Sequence, residues 1–153
     1  MNLFKDFADF ITLLQKYKVN YLIVGGYAVG IYSRPRATGD IDFWIGSDKE
    51  NAKKLTDVLK EFGFSDIDFT IDEITSKDQL LIIGREPIRI DIITSISGVE
   101  FNEAFQNKIT HDFGSVKAVN FISLNDLLKN KKASGREKDK QDLNWLKTYG
   151  KDN

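Results

Sequence analysis

Asp40 and Asp42 stand two residues apart in the segment GDIDFW, and Asp91 stands in IRIDIIT. An extended strand projects positions i and i+2 from one face, so the first two carboxylates can share a ligand. Left without a partner they repel each other, whereas a divalent cation reverses that penalty, and hard magnesium favours oxygen ligands. Asp91 interrupts what Ile90 and Ile92 would otherwise make an easy apolar strand. A carboxylate in such a place asks for a cation. Three carboxylates from two neighbouring strands could hold two Mg2+ ions, with Mn2+ as the alternative. Such a site could activate an acceptor hydroxyl on one side and stabilise a pyrophosphate leaving group on the other.

Gly25 and Gly26 close the apolar run YLIVGG. Two glycines at the end of a strand let backbone approach a ligand closely and offer amide donors at the start of a following helix, a suitable cradle for triphosphate oxygens. The pair lacks the Lys-Ser or Lys-Thr ending of a Walker loop and does not match the GxGxxG dinucleotide turn. His111 is the only histidine and has no recognisable metal partners, so it receives no catalytic role. Trp44 and Trp145 could each stack on a base or serve as ordinary aromatic packing, and sequence does not choose between these roles.

These side chains need a scaffold, and 153 residues suit one domain with a well-filled core rather than two. We therefore expect a single domain over residues 1–153, with terminal helices over roughly residues 123–149. Apolar residues make up 41% of the chain and charged residues 29%, with eleven phenylalanines for the core. The net charge of -1 supplies no global field for extended RNA, but a nucleoside triphosphate needs only a few cations and a metal. The absence of cysteine excludes disulfides, thiolate zinc ligands and cysteine nucleophiles. The opening MNLFKDFADFITLL lacks the layout of a secretory signal, and no apolar run is long enough to span a bilayer, so a cytoplasmic protein with no membrane partner is expected.

Phe7, Phe10, Ile11 and Leu14 continue a three- and four-residue periodicity begun by Leu3 and Phe4, which predicts an amphipathic helix. The pattern then predicts a strand at YLIVGG, a helix at YAVGIYS, a loop at RPRATG and a strand at DIDFWI. KENAKKLTDVLKEF reads as a helix that Gly63 ends. QLLIIG and IRIDIIT read as a hairpin turning through Gly84, Arg85, Glu86 and Pro87. A short helix at VEFNEAFQN, an extended GSVKAVNFIS and helices at SLNDLLKNKKA and around Leu143, Leu146 and Tyr149 follow, with GREKDKQD too charged for core. The order fits an α/β or α+β two-layer fold with a mixed sheet covered by helices.

GGYAVGIYSRPRATGDIDFW resembles the signature of the DNA polymerase beta-like nucleotidyltransferase superfamily, most closely its minimal or toxin-associated branches. The resemblance matches Gly25-Gly26 to the glycine turn, Asp40 and Asp42 to the paired acids and Asp91 to the later strand carboxylate. Arg36 and Thr38 match the charged and hydroxyl positions of the RxTxDID variant. In KKASGREKDKQDLNWL, Lys131, Gly135, Arg136, Lys138, Asp139 and Asp142 match recurring polar positions, with Lys131, Arg136 and Lys138 placed to reach phosphates or acceptor. Tyr27 departs from the pattern, since many relatives carry serine after the glycines.

The resemblance implies a nucleotidyltransferase fold and Mg2+-dependent transfer of a nucleoside monophosphate from a nucleoside triphosphate, with ATP as donor, to an acceptor hydroxyl. An RNA end, a protein side chain or a small molecule such as an antibiotic could be the acceptor. A cognate antitoxin or a second copy of the chain could be a partner. The alternative expectation is a noncatalytic nucleotide-sensing or interaction protein, for instance from a toxin-antitoxin system.

Overall fold

The computed structural model describes residues 3–34, 39–63, 70–85 and 88–150. Helix α1 (Leu3–Lys16) leads into β1 (Tyr21–Val24), α2 (Gly25–Tyr32) and β2 (Asp40–Ile45). Next come α3 (Lys49–Phe62), the single turn α4 (Ile71–Ile74) and the strands β3 (Leu80–Arg85) and β4 (Ile88–Ile93). The chain continues through α5 (Phe101–Gln106), β5 (Ile109–Phe113), β6 (Val116–Phe121), α6 (Leu124–Ser134) and α7 (Glu137–Tyr149). The strands form one mixed sheet in the order β3-β4-β2-β1-β6-β5, an α+β arrangement.

Alternation along β2 divides the labour between its faces. Ile41, Phe43 and Ile45 are buried, and Phe43 meets Phe10 of α1 with ring centroids 5.2 Å apart. Asp40, Asp42 and Trp44 take the other face, where Phe101 of α5 packs edge-on against the indole at 5.1 Å. A buried Asn51 clamps the far end of the β1–β2 pair. Its Oδ1 accepts from Asn20 N at 2.7 Å, and its Nδ2 donates to the carbonyls of Asn20 at 3.0 Å and Gly46 at 2.7 Å. With β1 and β2 antiparallel, that clamp fixes the register that sets Val24 opposite Asp42.

The helix ends follow local chemistry. Asp48 caps α3 by accepting from Asn51 N, and Gly63 ends it in the left-handed region at φ 103°. Ser123 caps α6 in the same way, and Gly135 terminates it. Neither α4 nor β5 follows from sequence periodicity: α4 is one turn held by a Thr70–Glu73 capping box, and three consecutive residues of β5 are exposed. Gly84 and Arg85, expected in a turn, belong to β3, while Glu86 and Pro87 lie outside the described residues.

The charged GREKDKQD segment is exposed as expected at six of its eight residues, but its two aspartates are buried. Asp139 is 1% exposed, and Asp142 and Lys131 are buried with it. Lys131 Nζ lies 3.0 Å from Asp139 Oδ1 and 3.2 Å from Asp142 Oδ2, while Arg136 Nε reaches Asp139 Oδ2 at 2.7 Å and Ser134 Oγ donates to the same carboxylate. These two carboxylates are buried because Lys131, Ser134 and Arg136 meet them, and the network fastens α6 to α7. Burial alone would raise the Asp139 carboxyl, but Arg136, Ser134 and Lys131 together hold it well below the ordinary carboxylate range. Its contribution is therefore complete above the unfolded-state value of about 4 and is lost as pH falls further. Asp139→Ala should lower unfolding free energy by about 3 kcal/mol, since it removes one of the two carboxylates that face the buried Lys131 ammonium. Denaturant titration at neutral pH checks this, and an unchanged midpoint would contradict it.

Candidate active site

Parallel pairing of β2 with β4 sets Asp42 beside Asp91 and Asp40 beside Arg89. Asp40, Asp42 and Asp91 each present a carboxylate oxygen, and these atoms lie within 4.8 Å of one another. The two-residue spacing within β2 and the register between strands thus produce one cluster on one face. On the neighbouring strand, Gly25 opens α2 at φ +68°, and a Cβ there would collide with Asp42 Oδ2. Glycine is required at this position for both its backbone conformation and its closeness to the acid. The N-cap residue Val24 offers no side-chain acceptor to the first turn of α2, which begins at the Gly25 that abuts Asp42.

Arg89 provides positive charge within the cluster. Its Nε and Nη2 donate to the two oxygens of Asp91, each at 2.9 Å, and Nη2 lies 3.4 Å from Asp40 Oδ2. Burial raises the Asp91 carboxyl, and the Arg89 hydrogen bonds offset this only in part. Asp42 is pushed up to about 7, first by burial and then by the charges of Asp40 and Asp91. Three all-oxygen donors on two strands, one of them reluctant to ionise without a counter-charge, fit a hard divalent cation.

The remaining sequence candidates divide by place. Gly26 follows Gly25 in the first turn of α2. Arg36 and Thr38 lie outside the described residues. Arg136 is exposed and bonds Asp139, whose hydrogen bond raises its guanidinium, with smaller contributions from the charges of Asp139, Asp142 and Asp42. Lys131 points inward, where Asp139 and Asp142 engage it, and Lys138 is exposed on α7. Tyr27 packs edge-on against Phe7 at 5.9 Å and against Phe113 at 5.7 Å. Burial, then the charge of Asp40, raises its phenol, which stays protonated at neutral pH. Arg89 joins the site from the structure, and its two-residue offset from Asp91 is the sequence signal that puts both on one strand face. A cavity of about 620 Å³ lies beyond Trp44, bordered by Lys77, Asp78, Phe101 and Lys129, and the three aspartates do not line it.

A raised carboxyl lowers stability as it ionises, because between the unfolded-state value and about 7 the folded state holds the proton more tightly. Without divalent cation, raising pH from about 6 to about 8 should therefore cost on the order of 1 kcal/mol, or roughly 2–4 °C in Tm. Added Mn2+ should raise Tm more at the higher pH, where it no longer competes with a proton. Melting curves at the two pH values check both signs. A Tm unresponsive to Mn2+ at either pH would contradict the cation site.

A search of the curated proteins finds no match in sequence. Among solved structures, a candidate nucleotidyltransferase of Thermotoga maritima superposes with a TM-score of 0.58 at 19% identity, covering 91% of this chain and 89% of its own. An antigenic nucleotidyltransferase-like protein of Paracoccidioides brasiliensis gives 0.57 at 16% identity, covering 95% of this chain and 74% of its own. At such identities the likeness establishes a common fold. No described helix is long and apolar enough to cross a membrane. The family model described as "Nucleotidyltransferase of unknown function (DUF6036)" matches residues 1–150, and the chain belongs to that family.

Proposed function

We propose that this protein transfers a nucleoside monophosphate from a nucleoside triphosphate to an acceptor hydroxyl and releases pyrophosphate. The observation that carries this reading is the meeting of three carboxylates from β2 and β4 beside the uncapped N-terminus of α2. In the transfer, a bond forms between the acceptor oxygen and the α-phosphorus. The bond from that phosphorus to the bridging oxygen breaks, and the electron pair leaves with pyrophosphate. The acceptor proton passes to Asp91 or to solvent.

Asp40, Asp42 and Asp91 would hold Mg2+, as two ions, or Mn2+. Bound there, the metal supplies charge neutralisation for the triphosphate and lowers the cost of ionising the acceptor hydroxyl. The amides of Gly25 and Gly26 receive phosphate oxygens at the positive end of α2. Arg136 adds a guanidinium at the head of α7. Arg36 and Thr38 from RPRATG, with Lys131 and Lys138 from the terminal helices, complete the proposed nucleotide-binding set. ATP is the proposed donor, and the acceptor is an RNA end, a protein side chain or a small molecule. The chain works as one cytoplasmic domain, with a cognate antitoxin or a second copy as a proposed partner.

Arg89 favours a second reading, nucleotide sensing without transfer. Its guanidinium already bridges Asp91 and Asp40, the position from which a catalytic cation would act. Under the transferase reading, Arg89 yields when metal and triphosphate bind. Under the sensing reading, nucleotide binds and remodels a partner while pyrophosphate release stays at background.

Asp91→Asn separates the roles of the acids because it removes charge at nearly constant size. With a responsive acceptor found for the wild type, the folded variant should lose transfer by roughly a hundredfold or more at every Mg2+ concentration, while triphosphate binding survives in part. Initial rates of pyrophosphate release and circular dichroism of the variant provide the check. Wild-type rates from a folded Asp91→Asn protein would refute the three-carboxylate mechanism.

A further inference from the structure

Helix α7 carries a second arrangement that the acid centre does not use. The centre of the Arg34 guanidinium lies 4.5 Å from the Trp145 ring centroid and 4.6 Å from that of Tyr149. The two rings lie 5.0 Å apart, inclined at 59°. Trp145 remains 37% exposed, so cation–π and ring contacts hold it as much as burial does. Arg34 follows the end of α2, and the clasp therefore ties that end of α2 to α7.

Beside Trp145 lies a cavity of about 260 Å³ lined by Lys138, Gln141, Asp142 and Trp145. Their spacing puts Lys138, Gln141 or Asp142, and Trp145 on one face of the helix. The lining offers a flat aromatic surface, an amide able to donate and accept, a cation, and a carboxylate that Lys131 already engages. A planar heterocycle with a polar edge is the ligand that uses all of these features, because stacking needs a π-face and the edge needs mixed donors and acceptors.

The position relative to the acids agrees. Helix α7 packs against α2, whose first residue Gly25 abuts Asp42, and Trp145 lies nine residues beyond Arg136 at the head of α7, about 13 Å at the α-helical rise. Lys138 and Gln141 fall between them. A nucleotide with its phosphates at the glycine turn and Arg136 has its sugar pass Lys138 and its base arrive at the indole.

We propose that this cavity is the nucleobase subsite of the triphosphate donor: the base stacks on Trp145, Gln141 meets its polar edge, and Arg34 and Tyr149 hold the indole in place. The proposal rests on the triphosphate reading of the acid centre. Lys138 acts here as a sugar or phosphate contact rather than as a base reader.

Fluorescence tests the proposal without turnover. The chain has two tryptophans, and Trp44 is buried, so a bound base reports through Trp145. ATP, GTP, CTP and UTP, each with Mg2+, are titrated beside inorganic tripolyphosphate with Mg2+, and calorimetry gives the affinities. At least one nucleotide should quench indole emission saturably and bind more tightly than tripolyphosphate, which should bind with little quenching. Trp145→Ala should weaken that nucleotide by roughly five- to a hundredfold and leave tripolyphosphate unchanged, while Trp145→Phe keeps most of the affinity. Melting curves confirm that the variants fold. Unchanged nucleotide affinity in folded Trp145→Ala, or equal wild-type affinity for nucleotides and tripolyphosphate, overturns the base subsite and leaves the acid-centre reading standing. If the wild type binds neither nucleotide nor tripolyphosphate, the acid-centre reading falls and the subsite falls with it.

Discussion

Three carboxylates within one ligand's reach repel one another, and in a half-buried setting that repulsion costs folding free energy until positive charge joins them. Much of the surrounding structure imposes or relieves this one unfavourable contact. The parallel register of β2 and β4 imposes it by setting Asp42 beside Asp91. The Gly25 turn tightens it by bringing main chain against Asp42 where any larger residue would collide. Arg89 relieves it in part by bonding Asp91 and Asp40, while burial and then the charges of Asp40 and Asp91 still push the Asp42 carboxyl up. A fold under selection for stability alone would replace such a cluster, so its presence argues for a cationic ligand.

Rigidity around the cluster comes from ordinary sources. The apolar face of β2 is anchored through Phe43 to α1, and Asn51 locks the far end of the β1–β2 pair. On the other side of the site, Asp139 gathers Lys131, Ser134 and Arg136 into one junction. That junction has two consequences: it ties α6 to α7, and it holds the Arg136 guanidinium against Asp139 at the head of α7. A buried ionic junction contributes less net stability than an apolar one of equal volume, but it orients a guanidinium that an apolar junction could not.

The clustering of the acids was legible because it rests on parity. Asp40, Asp42 and the Asp91 that interrupts an apolar run announce a shared face from the sequence alone, and the glycine pair announces the turn beside them. Strands β1, β2 and β4 and helices α1, α3 and α6 carry equally direct periodic or capping signals. What stayed hidden depended on partners distant in sequence. The burial of Asp139, Asp142 and Lys131 is invisible to a hydropathy reading, because such charges enter the core only together. Strand β5 owes its existence to pairing with β6 rather than to its own exposed pattern. Trp145 could be read as packing or stacking until Arg34 and the adjoining cavity were seen around it.

The central claim is that Asp40, Asp42 and Asp91 act as one divalent cation site, with Arg89 as a stand-in that gives way. A crystal grown with Mn2+ and a nonhydrolysable nucleoside triphosphate, with data collected for the anomalous signal of manganese, tests it most directly. The expected map has an anomalous peak shared by the three carboxylates, with the Arg89 guanidinium moved off Asp40 and Asp91. Triphosphate bound with no anomalous peak among the aspartates, and Arg89 still bridging Asp91 and Asp40, would contradict it.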